Sequence, residues 1–291
     1  MIPPRFEYYA PASIDEAVKV LDRFGGEAKV LAGGQSLLPV MKLRLAEPKA
    51  LVDLNRIPEL AFIREDDKHL RIGAMTRTND LLDSQLLKER YPIFQDAAFD
   101  IADPIVRNMG TVGGNVSHGD PANDLPACML ALEALYLVKG PKSSRTIPAK
   151  EFYQDTFVTV LEPNEILVEI HVPKARAREG AAYVKLEKRV GDFPMVGVAA
   201  RLALDAAGTV EHAGLGLTAV GPTALKAVEA EKHLVGKKAD EAAFEKAAER
   251  AQAIALPTSD LRGPADYKKS MVRVLARRAL RLARDRAGGG A

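Results

Sequence analysis

Cysteine occurs once among the 291 residues, as Cys128. One thiol forms no internal disulfide, and alone it holds neither an iron–sulfur cluster nor a cysteine-based zinc. It lies in the apolar run Leu125-Pro126-Ala127-Cys128-Met129-Leu130, where a buried, inert thiol is expected rather than a nucleophile. An excess of one charge is also missing. Lys+Arg number 41 against 39 Asp+Glu, a net charge of +2, and nothing in that total points to nucleic acid. No apolar run approaches the ~20 residues of a membrane helix, and Met1-Ile2-Pro3-Pro4-Arg5-Phe6-Glu7 lacks the basic-then-apolar order of a secretory signal. The expectation is a cytoplasmic protein with no membrane insertion.

Several catalytic signatures are absent as well. The chain has no H-E-x-x-H, no P-loop and no G-x-S-x-G. It has no G-x-G-x-x-G opening a long helix with an acidic residue about 20 positions on, so a nicotinamide site is not supported. Gly214-Leu215-Gly216 sits inside an apolar, strand-like run and reads as packing. The five histidines are scattered; His171 and His212 read as strand residues without a role, and His118, near a glycine run, as a neutral polar residue. What remains is an ordinary composition, 47% hydrophobic and 27% charged, long enough for two modest domains or one large one.

Two glycine runs stand out. In the first, Lys29-Val30-Leu31-Ala32 reads as a strand that stops at Gly33-Gly34, after which Ser36 is placed to cap a short helical turn carrying Leu37, Leu38 and Met41. Glycine there permits left-handed backbone and close approach of a ligand. Successive N–H groups at the start of such a turn make a concave anion site suited to a phosphate or diphosphate. The second run, Asn108-Met109-Gly110-Thr111-Val112-Gly113-Gly114-Asn115, offers the same chemistry. Either run alone is explained by an ordinary tight turn. Two in one chain, each with a hydroxyl residue beside its glycines, favour a grip on one diphosphate from both sides.

Around these runs the periodicities predict the following order. Phe6-Glu7-Tyr8-Tyr9 reads as a strand, and Ser13 caps a helix with Asp15 and Glu16 in its first turn and Gly25-Gly26 at its end. A strand at 50–54 follows the first glycine run. Residues 60–63 and 69–74 read as a hairpin, Thr78 as a helix cap, and 121–132 as a helix with Pro121 at its first position. Strands are predicted at 134–138 and 165–173. The charged stretch Lys174-Ala175-Arg176-Ala177-Arg178-Glu179-Gly180 reads as a domain boundary. Beyond it come strands at 182–187, 195–204 and 210–220, then helices at 224–234, 241–255 and 267–286, which suits an antiparallel sheet with helices on one side. The last helix carries Lys268, Lys269, Arg273, Arg277, Arg278, Arg281, Arg284 and Arg286, read as a solvated basic face, with a frayed tail from Gly288 to Ala291.

The stretch Ala32-Gly33-Gly34-Gln35-Ser36-Leu37-Leu38-Pro39-Val40-Met41-Lys42-Leu43-Arg44, followed by Leu51-Val52-Asp53-Leu54-Asn55, resembles the first FAD-binding signature of the flavoprotein (medium) subunits of molybdenum hydroxylases. Arg107 to Asn115, running on through Asp120-Pro121-Ala122-Asn123-Asp124-Leu125-Pro126, resembles the second. By pattern the medium subunits of aerobic carbon monoxide dehydrogenases are nearest, with xanthine dehydrogenases more distant. The resemblance runs from Phe6 to about Arg281, strongest in the two loops and weakest after Ala200.

It implies an α+β protein in two parts: residues 1–175, a PCMH-type α/β FAD domain of two subdomains (about 1–56 and 57–175), and residues 176–291, an α+β domain of antiparallel sheet and helices. It implies that the backbone of Ala32, Gly33, Gly34, Gln35 and Ser36, and of Thr111, Val112, Gly113, Gly114 and Asn115, holds the FAD diphosphate, with the Ser36 and Thr111 hydroxyls as donors. Asp124 matches a carboxylate on the adenosine half, though a first-turn helix acid explains it as simply. Leu167 matches an apolar position near the adenine, or is a plain core residue. Lys185, otherwise a surface lysine, matches one near the isoalloxazine, where a cation favours negative charge on the reduced ring. Phe193, in Lys188-Arg189-Val190-Gly191-Asp192-Phe193-Pro194-Met195, matches an aromatic that shields the ring; relatives can have Tyr there, so stacking survives and a hydroxyl is lost. Gln35 stands where another flavoprotein of the wider superfamily has a flavin-linked histidine, so the FAD is expected to be non-covalent.

The implied function is electron transfer. Substrate oxidation takes place at a molybdenum cofactor on a large partner subunit, and electrons pass through [2Fe-2S] clusters on a small one to the FAD and on to an external acceptor. A dimer of such three-chain units is implied. The competing readings are a self-contained FAD oxidase or reductase, and a subunit of this fold that binds another nucleotide or none.

Overall fold

The structure, a computed structural model, describes residues 2–288. Of the expected frayed tail, Gly289, Gly290 and Ala291 lie outside the described residues.

The chain begins with a small three-stranded parallel sheet. Strand β1 (Glu7–Tyr9), helix α1 (Ile14–Phe24), β2 (Ala28–Leu31), helix α2 (Leu37–Lys42) and β3 (Ala50–Asp53) follow one another, with β3 central in the order β1-β3-β2. Helix α1 starts where expected, because the Ser13 side chain accepts the Glu16 N–H at 3.3 Å, and it stops where Gly25 turns left-handed at φ 54°. Its apolar stripe Ala17, Val18 and Leu21 is buried against Ala28, Ala50 and Val52.

A five-stranded antiparallel sheet comes next, in the spatial order β4 (Ile63–Glu65), β5 (His69–Gly73), β10 (Ile166–Pro173), β6 (Leu135–Lys139) and β7 (Ser144–Pro148). Its first hairpin, β4 (Ile63–Glu65) and β5 (His69–Gly73), begins three residues later than the apolar run suggests, since Pro58–Leu60 forms a turn of 3₁₀ helix instead. Six helices follow: α3 (Thr78–Asp83), α4 (Gln85–Arg90), α5 (Ile93–Phe99), α6 (Pro104–Met109), α7 (Val112–Ser117) and α8 (Asp124–Ala131). Two expected helix starts are displaced. Thr78 is the first residue of α3 and Arg77 precedes it as the cap, its N–H held by the Asp80 carboxylate at 2.9 Å. Helix α8 begins at Asp124 rather than Pro121, and all eight of its residues are buried, so no single apolar face exists. Cys128 is among them. Strands β6 (Leu135–Lys139) and β7 (Ser144–Pro148), the small pair β8 (Tyr153–Asp155) and β9 (Val158–Thr159), and β10 (Ile166–Pro173) complete this part.

The last sheet is antiparallel throughout: β11 (Glu179–Leu186), β12 (Val196–Leu204), β13 (Val210–Thr218) and the short β14 (Leu225–Lys226), followed by helices α9 (Val228–Leu234), α10 (Glu241–Ile254) and α11 (Ala265–Ala287). Helices were expected on one side, but both faces are covered. Every residue of β12 is buried. Val196, Val198, Ala200 and Leu202 share a core with α10 and α11, whereas Ala199 joins Ala181, Tyr183 and α8 in the core of the preceding part. Gly214 and Gly216 make that second contact possible, since a Cβ on either would fall 1.9 and 2.1 Å from the Ala131 and Ala127 carbonyl oxygens of α8. The basic face of α11 is also more than a solvated surface. Arg273, Arg277 and Arg281 pair with Glu241, Glu245 and Glu249 of α10, Lys268 is buried against Asp260, and Arg286 reaches across to Asp96 of α5.

Candidate functional site

The two glycine loops lie against each other. A Cβ on Gly33 would stand 2.3 Å from the Met109 carbonyl oxygen and 2.8 Å from the Gly110 Cα, so only glycine lets the first loop touch the second. The sequence reading assigned this freedom to a ligand's approach; here it serves the approach of the other loop. Gly34 supplies the left-handed turn, at φ 73°. A Cβ on Gly114 would lie 3.6 Å from the Ala32 Cβ, a second point of contact between the loops.

The loops differ in what they offer an anion. Among the described residues, the N–H groups of residues 33–37 donate to no protein acceptor. Ser36 sits at the cap position of α2 with helical backbone angles (φ −107°, ψ −49°), and its hydroxyl makes no capping bond, contrary to expectation. In the second loop the backbone donors are engaged: Val112 N–H to Thr76 O (2.9 Å), Gly113 N–H to Ala74 O (2.8 Å), Gly114 N–H to Thr111 Oγ1 (3.1 Å) and Asn115 N–H to Thr111 O (3.0 Å). What that loop presents is the Thr111 hydroxyl, which accepts from Gly114, and the Asn115 amide, whose buried Oδ1 has no protein partner.

A frame holds the pair together. Asn55, just after β3, donates from Nδ2 to the Ala32 carbonyl at 3.0 Å, and Arg77 donates to Asn55 Oδ1 at 2.5 Å and to the Met109 carbonyl. Neither residue was singled out in the sequence. Asn55 lies within a quoted motif, but Arg77 carried no signal there, because its role arises only where distant segments meet.

Asp124, Lys185 and Tyr183 form a buried polar cluster nearby. The Lys185 side chain is 1% exposed, so the surface reading of this residue fails. Its Nζ lies 2.7 Å from the Asp100 carbonyl, 3.3 Å from Asp124 Oδ1 and 3.4 Å from Glu187 Oε2. The Tyr183 hydroxyl donates to Asp124 Oδ1 at 2.6 Å. Burial pushes the Asp124 carboxyl up to about 6, against the opposing pull of Lys185 and Tyr183. The sequence reading set Asp124 at the adenosine half and Lys185 at the ring; the structure makes the two direct partners. Asn123 ties the start of α8 to the second loop, donating from Nδ2 to the Asn115 carbonyl at 2.7 Å.

Leu167 is buried where the pairing of β10 with β6 slips, and it shares a core with Val112 and Val116 behind the second loop. Phe193 is 43% exposed on the segment between β11 and β12, with the Arg262 guanidinium 5.5 Å from its ring centre. Gly191 of that segment, at φ 79°, packs against Ala102 just before α6. A separate cleft of about 360 Å³, lined by Tyr91, Pro92, Leu132, Gly180 and Arg286 among others, shares no residue with this cluster.

A family model described as the FAD binding domain in molybdopterin dehydrogenase matches residues 4–175, and one described as the CO dehydrogenase flavoprotein C-terminal domain matches residues 181–283. The chain belongs to the FAD-binding medium subunits of the molybdenum hydroxylases. It is 48% identical over 283 residues to the carbon monoxide dehydrogenase medium chain of Hydrogenophaga pseudoflava, covering 97% of this chain and 98% of the relative. With the corresponding chain of Afipia carboxidovorans it shares 44% over 287 residues, 99% of each. A solved carbon monoxide dehydrogenase from Hydrogenophaga pseudoflava that lacks the Mo-pyranopterin moiety of its cofactor superposes with a TM-score of 0.94 at 50% identity, covering 97% of this chain and 98% of that one.

For a medium subunit the cofactor is FAD, with molybdenum and iron–sulfur centres on other subunits of these complexes. The residues present fit that group: free N–H donors at 33–37, an orphaned buried amide oxygen on Asn115, and a guanidinium between the loops. Gln35 donates from Nε2 to the Gly33 carbonyl at 3.2 Å and carries no nucleophile for a flavin linkage. Medium subunits of this kind are oxidoreductase components that pass electrons between a partner's iron–sulfur clusters and an external acceptor.

Proposed function

We propose that the paired loops hold the FAD diphosphate, with the N–H groups of Gly33, Gly34, Gln35 and Ser36 as its donors and the backbone at Ala32 as the floor of the first loop. The Thr111 hydroxyl and the Asn115 Nδ2 donor complete the second side, while Val112, Gly113 and Gly114 give that loop its shape. The Asp124–Lys185 pair and Leu167 then flank the cofactor, and the exposed Phe193 ring covers part of the isoalloxazine. The observation that carries this reading is the contact of Gly33 with Met109 and Gly110, which brings two distant motifs to one place.

FAD, when bound, supplies redox chemistry that exchanges two electrons with one partner and single electrons with another. The chain's own residues orient and screen it. Lys185 brings a fixed cation into a low-dielectric site, its charge balanced by Asp124 and Glu187. Phe193 limits water on one side of the ring while remaining half-exposed.

The proposed organisation is an FAD domain over residues 1–175, with subdomains of about 1–56 and 57–175, and a second domain over 176–291. Its proposed partners are a small iron–sulfur subunit and a large molybdenum subunit in a dimer of heterotrimers, located in the cytoplasm; no helix among the described residues is long and apolar enough to cross a membrane. The test is reconstitution. The purified chain takes up one FAD and stays oxidised with carbon monoxide, aldehydes, purines or alcohols, and bleaches only once both partner subunits and their substrate are added. Bleaching by substrate with the chain alone would establish a self-contained oxidase instead.

A further inference from the structure

Segment 74–78, between β5 and α3, is zipped to the second glycine loop. Val112 N–H donates to Thr76 O and Thr78 N–H to Gly110 O, both at 2.9 Å, with Arg77 opposite Thr111 in an antiparallel bridge. Among the described residues the first glycine loop has no such zip. Beyond the close packing of Gly33 on Met109 and Gly110, its hydrogen-bonded link to the second loop runs through two side chains, Asn55 and Arg77.

We propose that Asn55 and Arg77 act as positioning residues, a latch that sets the width of the diphosphate cleft and supplies its positive charge. The inference rests on the diphosphate reading of the loops. Asn55 is itself fixed: its N–H is taken by Asp53 Oδ1 at 2.9 Å, and Asp53 Oδ2 in turn accepts from the Tyr8 hydroxyl at 2.5 Å. One amide nitrogen then reaches the Ala32 carbonyl of the first loop, while the amide oxygen accepts from Arg77. The other arm of the Arg77 fork reaches the Met109 carbonyl, the atom that Gly33 approaches so closely. Arg77 therefore joins the second loop to Asn55, and through Asn55 to the first loop, with a planar group that a lysine cannot copy. Among the described residues its guanidinium donates to a carbonyl and an amide oxygen and forms no ion pair, beside the free N–H groups of residues 33–37, while the nearest acid bonded to this residue, Asp80, is held on its backbone N–H. A half-buried cation in that state favours an anionic occupant.

The test uses the full chain and two probes, FAD and ADP, with Kd read by flavin fluorescence and by competition. Arg77→Met and Asn55→Leu each weaken both probes by roughly 10- to 100-fold, the range for a hydrogen bond to a charged group. Arg77→Lys recovers the salt dependence of Kd that Arg77→Met loses, but not the full affinity. Gly34→Val, which distorts the first loop directly, serves as the reference for the cleft itself. Circular dichroism and melting of the FAD-free chains establish that each variant is folded; if Arg77→Met does not fold, Asn55→Leu and Arg77→Lys decide. Wild-type Kd in the latch variants with binding lost in Gly34→Val would overturn the latch and leave the cleft standing. Wild-type Kd in all of them would overturn both.

Discussion

Gly33→Ala adds one methyl group at the point where the two loops touch. The new carbon would lie 2.3 Å from the Met109 carbonyl oxygen, against an ordinary C···O approach of about 3.3 Å. The loops must separate by about 1 Å, and the atom that moves is the one holding an arm of Arg77. Overpacking of this kind costs about 1–3 kcal/mol. If the loops stay together, the melting temperature of the FAD-free chain falls by about 2–4 °C per kcal/mol. If they part, the cost appears in binding, and the FAD Kd rises roughly 5- to 150-fold. Melting with and without FAD, beside a fluorescence titration, separates the two outcomes. Gly263→Ala is the control, since its Cβ would meet only Met195 Sδ at 3.4 Å and Tyr267 Cδ1 at 3.8 Å. A Gly33→Ala chain with both wild-type melting and wild-type FAD affinity would refute the loop contact.

Asp124 gives a pH signature. With its carboxyl raised from 3.8 to about 6 by burial, the folded chain takes up a proton between about pH 6 and 4 that the unfolded chain does not. This group's contribution to stability therefore grows as pH falls through 6, by up to about 3 kcal/mol. In urea titrations the wild type should gain on Asp124→Asn between pH 7 and 4, and a constant difference would contradict the assignment. Lys185→Met leaves Asp124 buried and without its cation, at a cost of about 3–5 kcal/mol; adding Asp124→Leu should restore most of it, and a double variant as unstable as the single one would show that the pair is not the cause. Phe193→Ala should make bound flavin fluorescence more quenchable by iodide, and unchanged quenching would place the ring elsewhere.

The glycine motifs were legible because they are long and ordered, and their proximity, seen at Gly33 and Met109, was the expectation drawn from a single diphosphate held by both. The helix start at Ser13 was equally readable, since its side chain accepts a first-turn N–H. Thr78 and Pro121 misled for a common reason. Both have the right local chemistry, but the chain at 74–78 and at 119–123 is committed to distant partners: Thr78 N–H bonds Gly110 and the Pro121 carbonyl accepts from Thr218. Lys185 and Arg77 lay beyond sequence reasoning. A lysine on an exposed-looking strand is buried only because α5 and α8 cover it, and an arginine before a helix becomes a latch only because two loops converge on it.

The glycine pair at 214 and 216 has a last consequence. The backbone of α8 rests in the groove those residues leave, so the C-terminal sheet borrows one of its two coverings from residues 124–131. A fragment cut at residue 176 would uncover Tyr183, Ala199 and both glycines together, and the released halves should be sticky and poorly folded. The seam drawn by homology is therefore not a line along which the molecule comes apart, and motion of one half against the other would have to slide α8 across a surface fitted to its backbone.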